Sequence, residues 1–138
     1  MSVLTTPTRP SPAPVRYAIE IPVVVVAAFT LSVAHTVYAW RSDLADPDFT
    51  VTSPLTWGFY AVAFAMAAVA ARPERWAHVA STGFLVVVLG ISVFYYPTTF
   101  TLEQQTTFGW FENDVYVGLL VLALYLSVMR LRRRAVVL

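Results

Sequence analysis

The sequence predicts an all-α integral membrane protein, with four transmembrane helices in an antiparallel bundle and both termini on the cytoplasmic side. Three observations carry that expectation. Hydrophobic residues make up 58% of the 138 residues and charged ones only 12%, against roughly 45–50% and 25% in soluble globular domains. A single domain of this length exposes too much surface to hide such an excess in a core. The apolar residues gather into four runs with polar connectors between them, and the arginines are distributed unevenly about those runs.

Residues 1–16 carry four prolines and no apolar periodicity, which predicts a disordered cytoplasmic tail. The membrane domain then occupies residues 17–134. Its first helix is expected at about 20–40. The run Ile21 to Trp40 holds 20 residues, about 30 Å of helix, which matches a bilayer core. Pro22 falls in its first turn, where a missing N–H costs nothing. A cleavable signal peptide would have an apolar region of about 7–15 residues, shorter than this one.

Turn formers and acids fill residues 41–54, and Ser53-Pro54 offers an N-cap followed by proline at the first helical position. The second helix is expected at about 55–71, a little short for a span unless its flanks extend it. The connector around Arg72 to Arg75 leads to a third helix at about 76–96, which Pro97 ends. The outer loop 97–113 contains Thr101-Leu102-Glu103-Gln104, a capping-box pattern. It predicts a short interfacial helix stopped by Gly109, with Phe100, Leu102 and Phe108 towards lipid. Asn113 or Asp114 would cap the fourth helix, about 114–131, and residues 135–138 form a C-terminal tail.

Orientation follows from the positive-inside rule. With both termini cytoplasmic, Arg9, Arg16, Arg72, Arg75, Arg130, Arg132, Arg133 and Arg134 lie inside and only Arg41 lies outside. Most of the acids sort outward: Asp43, Asp46, Asp48, Glu103, Glu112 and Asp114. Trp40, Trp57, Trp76 and Trp110 fall at interfaces, where indoles prefer to lie. The C-terminal arginines read as an anchor on anionic headgroups. The expected location is the cell membrane, crossed several times. Gly58, Ala61, Ala65 and Ala68, and then Ala80, Gly83 and Gly90, form small-residue faces that let membrane helices approach closely. They are candidate surfaces for a membrane-protein partner or a second copy of the chain, beside contact with the lipid bilayer.

The chain has no cysteine, which excludes disulfides, thiol catalysis, zinc–thiolate sites and cysteine-ligated iron–sulfur clusters. A net charge of +1 gives no electrostatic footprint for nucleic acid. A haem shared by the two histidines fails on depth. Counted along their helices, His35 sits about 20 Å and His78 about 3 Å from the inner boundary. No helical pair has metal-ligand spacing, so no cofactor or metal is expected. Asp43, Asp46 and Asp48 surround Pro47 as turn formers, without the glycine and terminal glutamate of a calcium loop.

Polar side chains at membrane depth are the functional pointers, because hydrocarbon penalises them. His35 shares a face with Ser32 and Tyr38, and a histidine there also serves as a plain hydrogen-bonding group. His78 reads as an interfacial residue. Glu112 is the acid that helix capping does not explain, and it can look into the outer mouth of the bundle towards His35. Two functions compete. No complete catalytic constellation is visible, which favours a non-catalytic subunit or partner-binding protein of a membrane complex. The alternative is a membrane-embedded enzyme acting on a lipid or isoprenoid, with Glu112 or Asp114 as the acid and His35 assisting.

The absence of cysteine makes the topology directly testable. In intact cells Ser42→Cys should react with a membrane-impermeant maleimide, whereas Glu74→Cys should react only after permeabilisation. The opposite labelling would invert the orientation.

Overall fold

Backbone N–H and C=O groups that leave water must bond to one another, and a helix does this within a single segment. The computed structural model describes residues 15–44, 46, 48–99, 101 and 106–135. In it all four apolar runs are helical: α1 (Val15–Arg41), α2 (Pro54–Ala70), α3 (Arg75–Gly90) and α4 (Thr107–Ala135). No strand occurs among the described residues. The chain continues from α3 through a π-helical turn, Ile91–Tyr95, and a 3₁₀ turn, Tyr96–Thr98. Of the tails expected at 1–16 and 135–138, Val15, Arg16 and Ala135 belong to helices, and the rest, like the capping-box residues Leu102 to Gln104, lies outside the described residues.

Three stretches are long and apolar enough to cross a membrane: Ile19–Arg41, Arg75–Thr98 and Thr107–Arg133. Helix α2 has 17 residues, about 25 Å at 1.5 Å each, and its flanks do not lengthen it. Helix α1 starts earlier than the apolar run, so Pro22 lies inside the helix and not in its first turn. The ring simply removes one N–H donor there. At the other end, Asp43 has φ 56°, and Leu44 N–H donates to the Ala39 carbonyl at 2.9 Å. That is a left-handed C-cap with aspartate in the place usually held by glycine. Asp43 is thereby accounted for as a helix stop.

Helices α1 and α3 each pack against both α2 and α4. Phe29 on α1 is fully buried at their meeting point. Its ring lies 5.8 Å from Phe59 and 6.5 Å from Phe64 on α2, 6.0 Å from Phe84 on α3, and 6.0 Å from Tyr116 on α4. Three of the four contacts are edge-on, the arrangement that ring quadrupoles favour. Small residues bring α2 into this core, and they are Ala63, Ala67 and Ala70. Gly58, Ala61, Ala65 and Ala68, like Ala80 and Gly83 on α3, are exposed. A Cβ added at Gly58 or Gly83 would meet nothing within 4 Å, so those faces have no close neighbour within the chain.

At the end where α2 turns into α3, buried side chains complete the backbone. Arg130 is 7% exposed, and its Nη1 donates to the carbonyl of Ala70, the last residue of α2, at 2.8 Å. The last carbonyls of a helix lack intrahelical donors and carry its negative dipole end, so a guanidinium suits them. His78, 2% exposed, donates Nε2–H to the Arg72 carbonyl at 2.9 Å. Two expectations change here. Arg130 is a buried helix cap and not part of a solvated anchor, and His78 is a buried turn clamp and not an interfacial residue. Neither carbonyl acceptor can be read from sequence spacing.

Removing a donor from a buried carbonyl costs about 1–3 kcal/mol. Arg130→Leu should therefore lower the thermal unfolding midpoint in detergent, while Arg132→Leu, at an exposed position, should leave it nearly unchanged. Equal effects of the two variants would refute the capping role.

Candidate functional site

The site is built at the first turns of α4. Thr106 Oγ1 accepts the Gly109 N–H at 3.0 Å, and the Thr106 carbonyl accepts the Trp110 N–H at 3.0 Å. Thr106 is thus the N-cap, with its hydroxyl on the third helical residue. The helix starts at Thr107, seven residues ahead of the expected 114, and Asn113 and Asp114 lie within it. Gly109 does not stop a helix. No glycine among the described residues takes a positive φ, the conformation a glycine stop uses. Gly109 instead leaves room for the capping hydroxyl of Thr106 and lies in contact with His35. A Cβ there would meet Thr106 Oγ1 at 3.1 Å and His35 Cε1 at 3.7 Å.

The earlier start puts Glu112 in the second turn, facing α1. Glu112 is 7% exposed, and its Oε2 lies 2.8 Å from Nδ1 of His35. Asp114 is exposed and away from the pair. Two residues along a helix rotate a side chain by roughly 200°, so one helix cannot aim both acids at one target. Of the three candidates the structure brings His35 and Glu112 together and leaves Asp114 out. Tyr38 packs edge-on against Phe108, with ring centroids 4.8 Å apart.

One turn before His35 lies a network with no clear signal in the sequence. The Tyr60 hydroxyl donates to the Ser32 carbonyl at 2.9 Å and lies 2.7 Å from Thr36 Oγ1 and 3.1 Å from Ser32 Oγ. Tyr60 is only 2% exposed. Its tyrosine is one of seven in the chain, and nothing local marks it out. The effect is to tie α2 to α1 immediately beside the His35–Glu112 pair.

Ser32, His35, Thr36 and Glu112 border a cleft of about 700 Å³ to which all four helices contribute. Its polar part includes Ser32, His35 and Thr36 from α1, Glu112, Asn113 and Tyr116 from α4, and Asp46 and Asp48 from the connector. Its apolar part includes Leu31, Phe49, Leu55, Phe59, Val88 and Ile91. A smaller cavity of about 60 Å³ adjoins it and shares His35 and Asp46. The π-helical turn supplies Ile91, Ser92 and Tyr95 to the cleft wall. Such wide turns recur at functional sites, because they re-aim side chains that a regular helix would direct elsewhere. Among the described residues no three His, Asp or Glu side chains come together as metal ligands.

Chemically, the His35–Glu112 pair can hold one proton between Nδ1 and Oε2, and the imidazole keeps Nε2 as a second proton-exchanging atom. The same contact joins α1 to α4, so it also has a purely structural use. Comparison with family models, curated proteins and solved structures finds no match for the chain.

The close approach at Gly109 gives a direct check. Gly109→Val should cost roughly 1–3 kcal/mol by overpacking and disturb the imidazole environment of His35 in NMR spectra. Gly118→Val, where an added Cβ meets nothing within 4 Å, is the control and should do neither.

Proposed function

We propose that this is a multi-pass protein of the cell membrane, an antiparallel four-helix bundle with both termini cytoplasmic, that acts on a lipid-like molecule by acid–base chemistry. The observation that carries the reading is the His35–Glu112 pair at 2.8 Å, bordering a cleft of about 700 Å³ with an apolar part and a polar part. Small-molecule pockets of roughly 300–1,000 Å³ usually combine apolar walls with a few placed polar groups. The arginine asymmetry supports the orientation, which puts this cleft at the outer end of the bundle. The contact of Arg130 with Ala70 and that of His35 with Glu112 lie at opposite ends of α4, which fits helices running alternately up and down.

In this mechanism Nε2 of His35 takes a proton from the bound molecule. Glu112 orients the ring through Nδ1 and stabilises the imidazolium that forms. The same proton then returns to a different atom of the molecule, so that the net change is an isomerisation and the imidazole is restored. Asp114 has no part in it.

A second reading, a non-catalytic subunit of a membrane complex, is favoured by the exposed Gly58, Ala61, Ala65 and Ala68 face of α2. One experiment separates the two. The protein is incubated in nanodiscs made from lipid extracted from its native membrane, and the lipids are compared by chromatography and mass spectrometry. The wild type should convert one species. Glu112→Gln and His35→Ala should lose at least about 100-fold of that rate, the usual scale for a general acid or base, while remaining folded. If no species changes and a protein co-purifies in a manner abolished by Ala61→Phe and Ala65→Phe, the subunit reading stands instead.

A further inference from the structure

The seams between helices are not closed alike around the cleft. On one side of α1 the His35–Glu112 pair ties it to α4. On the other, the Tyr60 hydroxyl ties it to α2 through Ser32 and Thr36. Among the described residues no side-chain hydrogen bond joins α2 to α3. Resting on the reading that the cleft takes a lipid-like molecule, we propose that the α2–α3 seam is a lateral portal, through which a lipid of the surrounding leaflet inserts one hydrocarbon chain.

The lining of the cleft marks the opening. Leu55 on α2 and Ile91 beyond α3 both line it, yet they are 68% and 50% exposed. The cleft thus reaches the outer surface of the helices at this seam. Ile91 lies inside the apolar stretch Arg75–Thr98, seven residues before its end, about 10 Å by helical rise. In a bilayer, hydrocarbon and not water stands against such a mouth. Behind it the lining stays apolar, with Phe59 and the buried Val88. A lipid chain loses little by passing from its neighbours into a wall of the same apolarity.

The floor of the cleft decides which part of the molecule reacts. Leu31 lies four residues from His35, and Tyr116 four residues from Glu112, about 6 Å along each helix. Below them Phe29 fills the bundle, its ring 5.8 Å from Phe59 and 6.0 Å from both Phe84 and Tyr116. A chain whose head reaches Nε2 of His35 must therefore turn out between Leu55 and Ile91 within a few carbons. The reacting group is then at the head end of the amphiphile. The far end of the chain stays in the bilayer, where its length goes unread.

Dodecanol and octadecanol, each with a diazirine near the hydroxyl end, test this in phosphatidylcholine nanodiscs holding the full chain. After illumination the labelled residues are mapped by peptide mass spectrometry. Both alcohols should label Phe59 and Val88 to the same extent. Lipid that merely touches the outside cannot reach the buried Val88, whereas the exposed Val62 and Val121 report that outside contact. Leu55→Trp and Ile91→Trp each place an indole at the mouth, on an exposed position. In both, labelling of Phe59 and Val88 should fall to background while Val62 and Val121 stay labelled. Labelling of Phe59 and Val88 that survives in either folded variant, or that octadecanol fails to give, overturns the portal and leaves the lipid reading intact. If neither alcohol labels them in the folded wild type while Val62 is labelled, the lipid reading fails and the portal falls with it.

Discussion

The structure depends on one constraint: among apolar helices, a buried polar group is costly unless it finds a partner inside the protein. The hydroxyls of Thr56 and Ser127 are buried without a hydrogen-bond partner, but elsewhere the molecule meets the constraint at three levels. At the α2–α3 turn, Arg130 and His78 serve the carbonyls of Ala70 and Arg72. Further along, Tyr60 serves the carbonyl of Ser32 and the hydroxyl of Thr36. At the cleft, His35 and Glu112 serve each other. Phe29 fills the space between with contacts to all three other helices. Since apolar side chains gain little from leaving lipid for protein, close packing and these bonds supply the specificity of association.

The three levels differ in how completely the bonding is used. A carbonyl holding a guanidinium or an imidazole N–H has a settled assignment of donor and acceptor. The His35–Glu112 pair does not, because the role of Nδ1 depends on the tautomer of the ring. It is also the pair that borders the large cleft. A regular α3 would direct its side chains evenly about its axis, but the π-helical turn at Ile91–Tyr95 widens the helix where the cleft lies. Backbone irregularity, a partly buried histidine–carboxylate pair and an open volume coincide at one place, and that coincidence directs attention to chemistry there.

Much of the fold was legible beforehand, and the misses have identifiable causes. Apolar runs of helical length announce α1 to α4, and Ser53-Pro54 marks the start of α2 within a residue. The start of α4 was misplaced because Gly109 resembles a helix stop and Asn113-Asp114 resembles a cap. Thr106 supplies the cap instead, and a Cβ at Gly109 would crowd that cap's own hydroxyl. Likewise two small-residue stripes run along α2, and only packing tells which is buried. Ala63, Ala67 and Ala70 face the core, and Gly58, Ala61, Ala65 and Ala68 do not.

The sequence by itself determined the class of the protein: its helices, three of them of membrane-crossing length and apolarity, and the small set of polar residues placed among them. These follow from composition and local periodicity, which each residue carries wherever the chain goes. The tertiary structure decided which polar residues meet. His35 and Glu112 stand 77 positions apart, and Arg130 and Ala70 stand 60 apart. No local preference encodes such distances. The pairing emerges only when α1 lies against α4 and the Thr106 cap starts α4 early enough to turn Glu112 inward. Glu112 is thus a partner of His35, and Asp114, two residues on, is a surface acid.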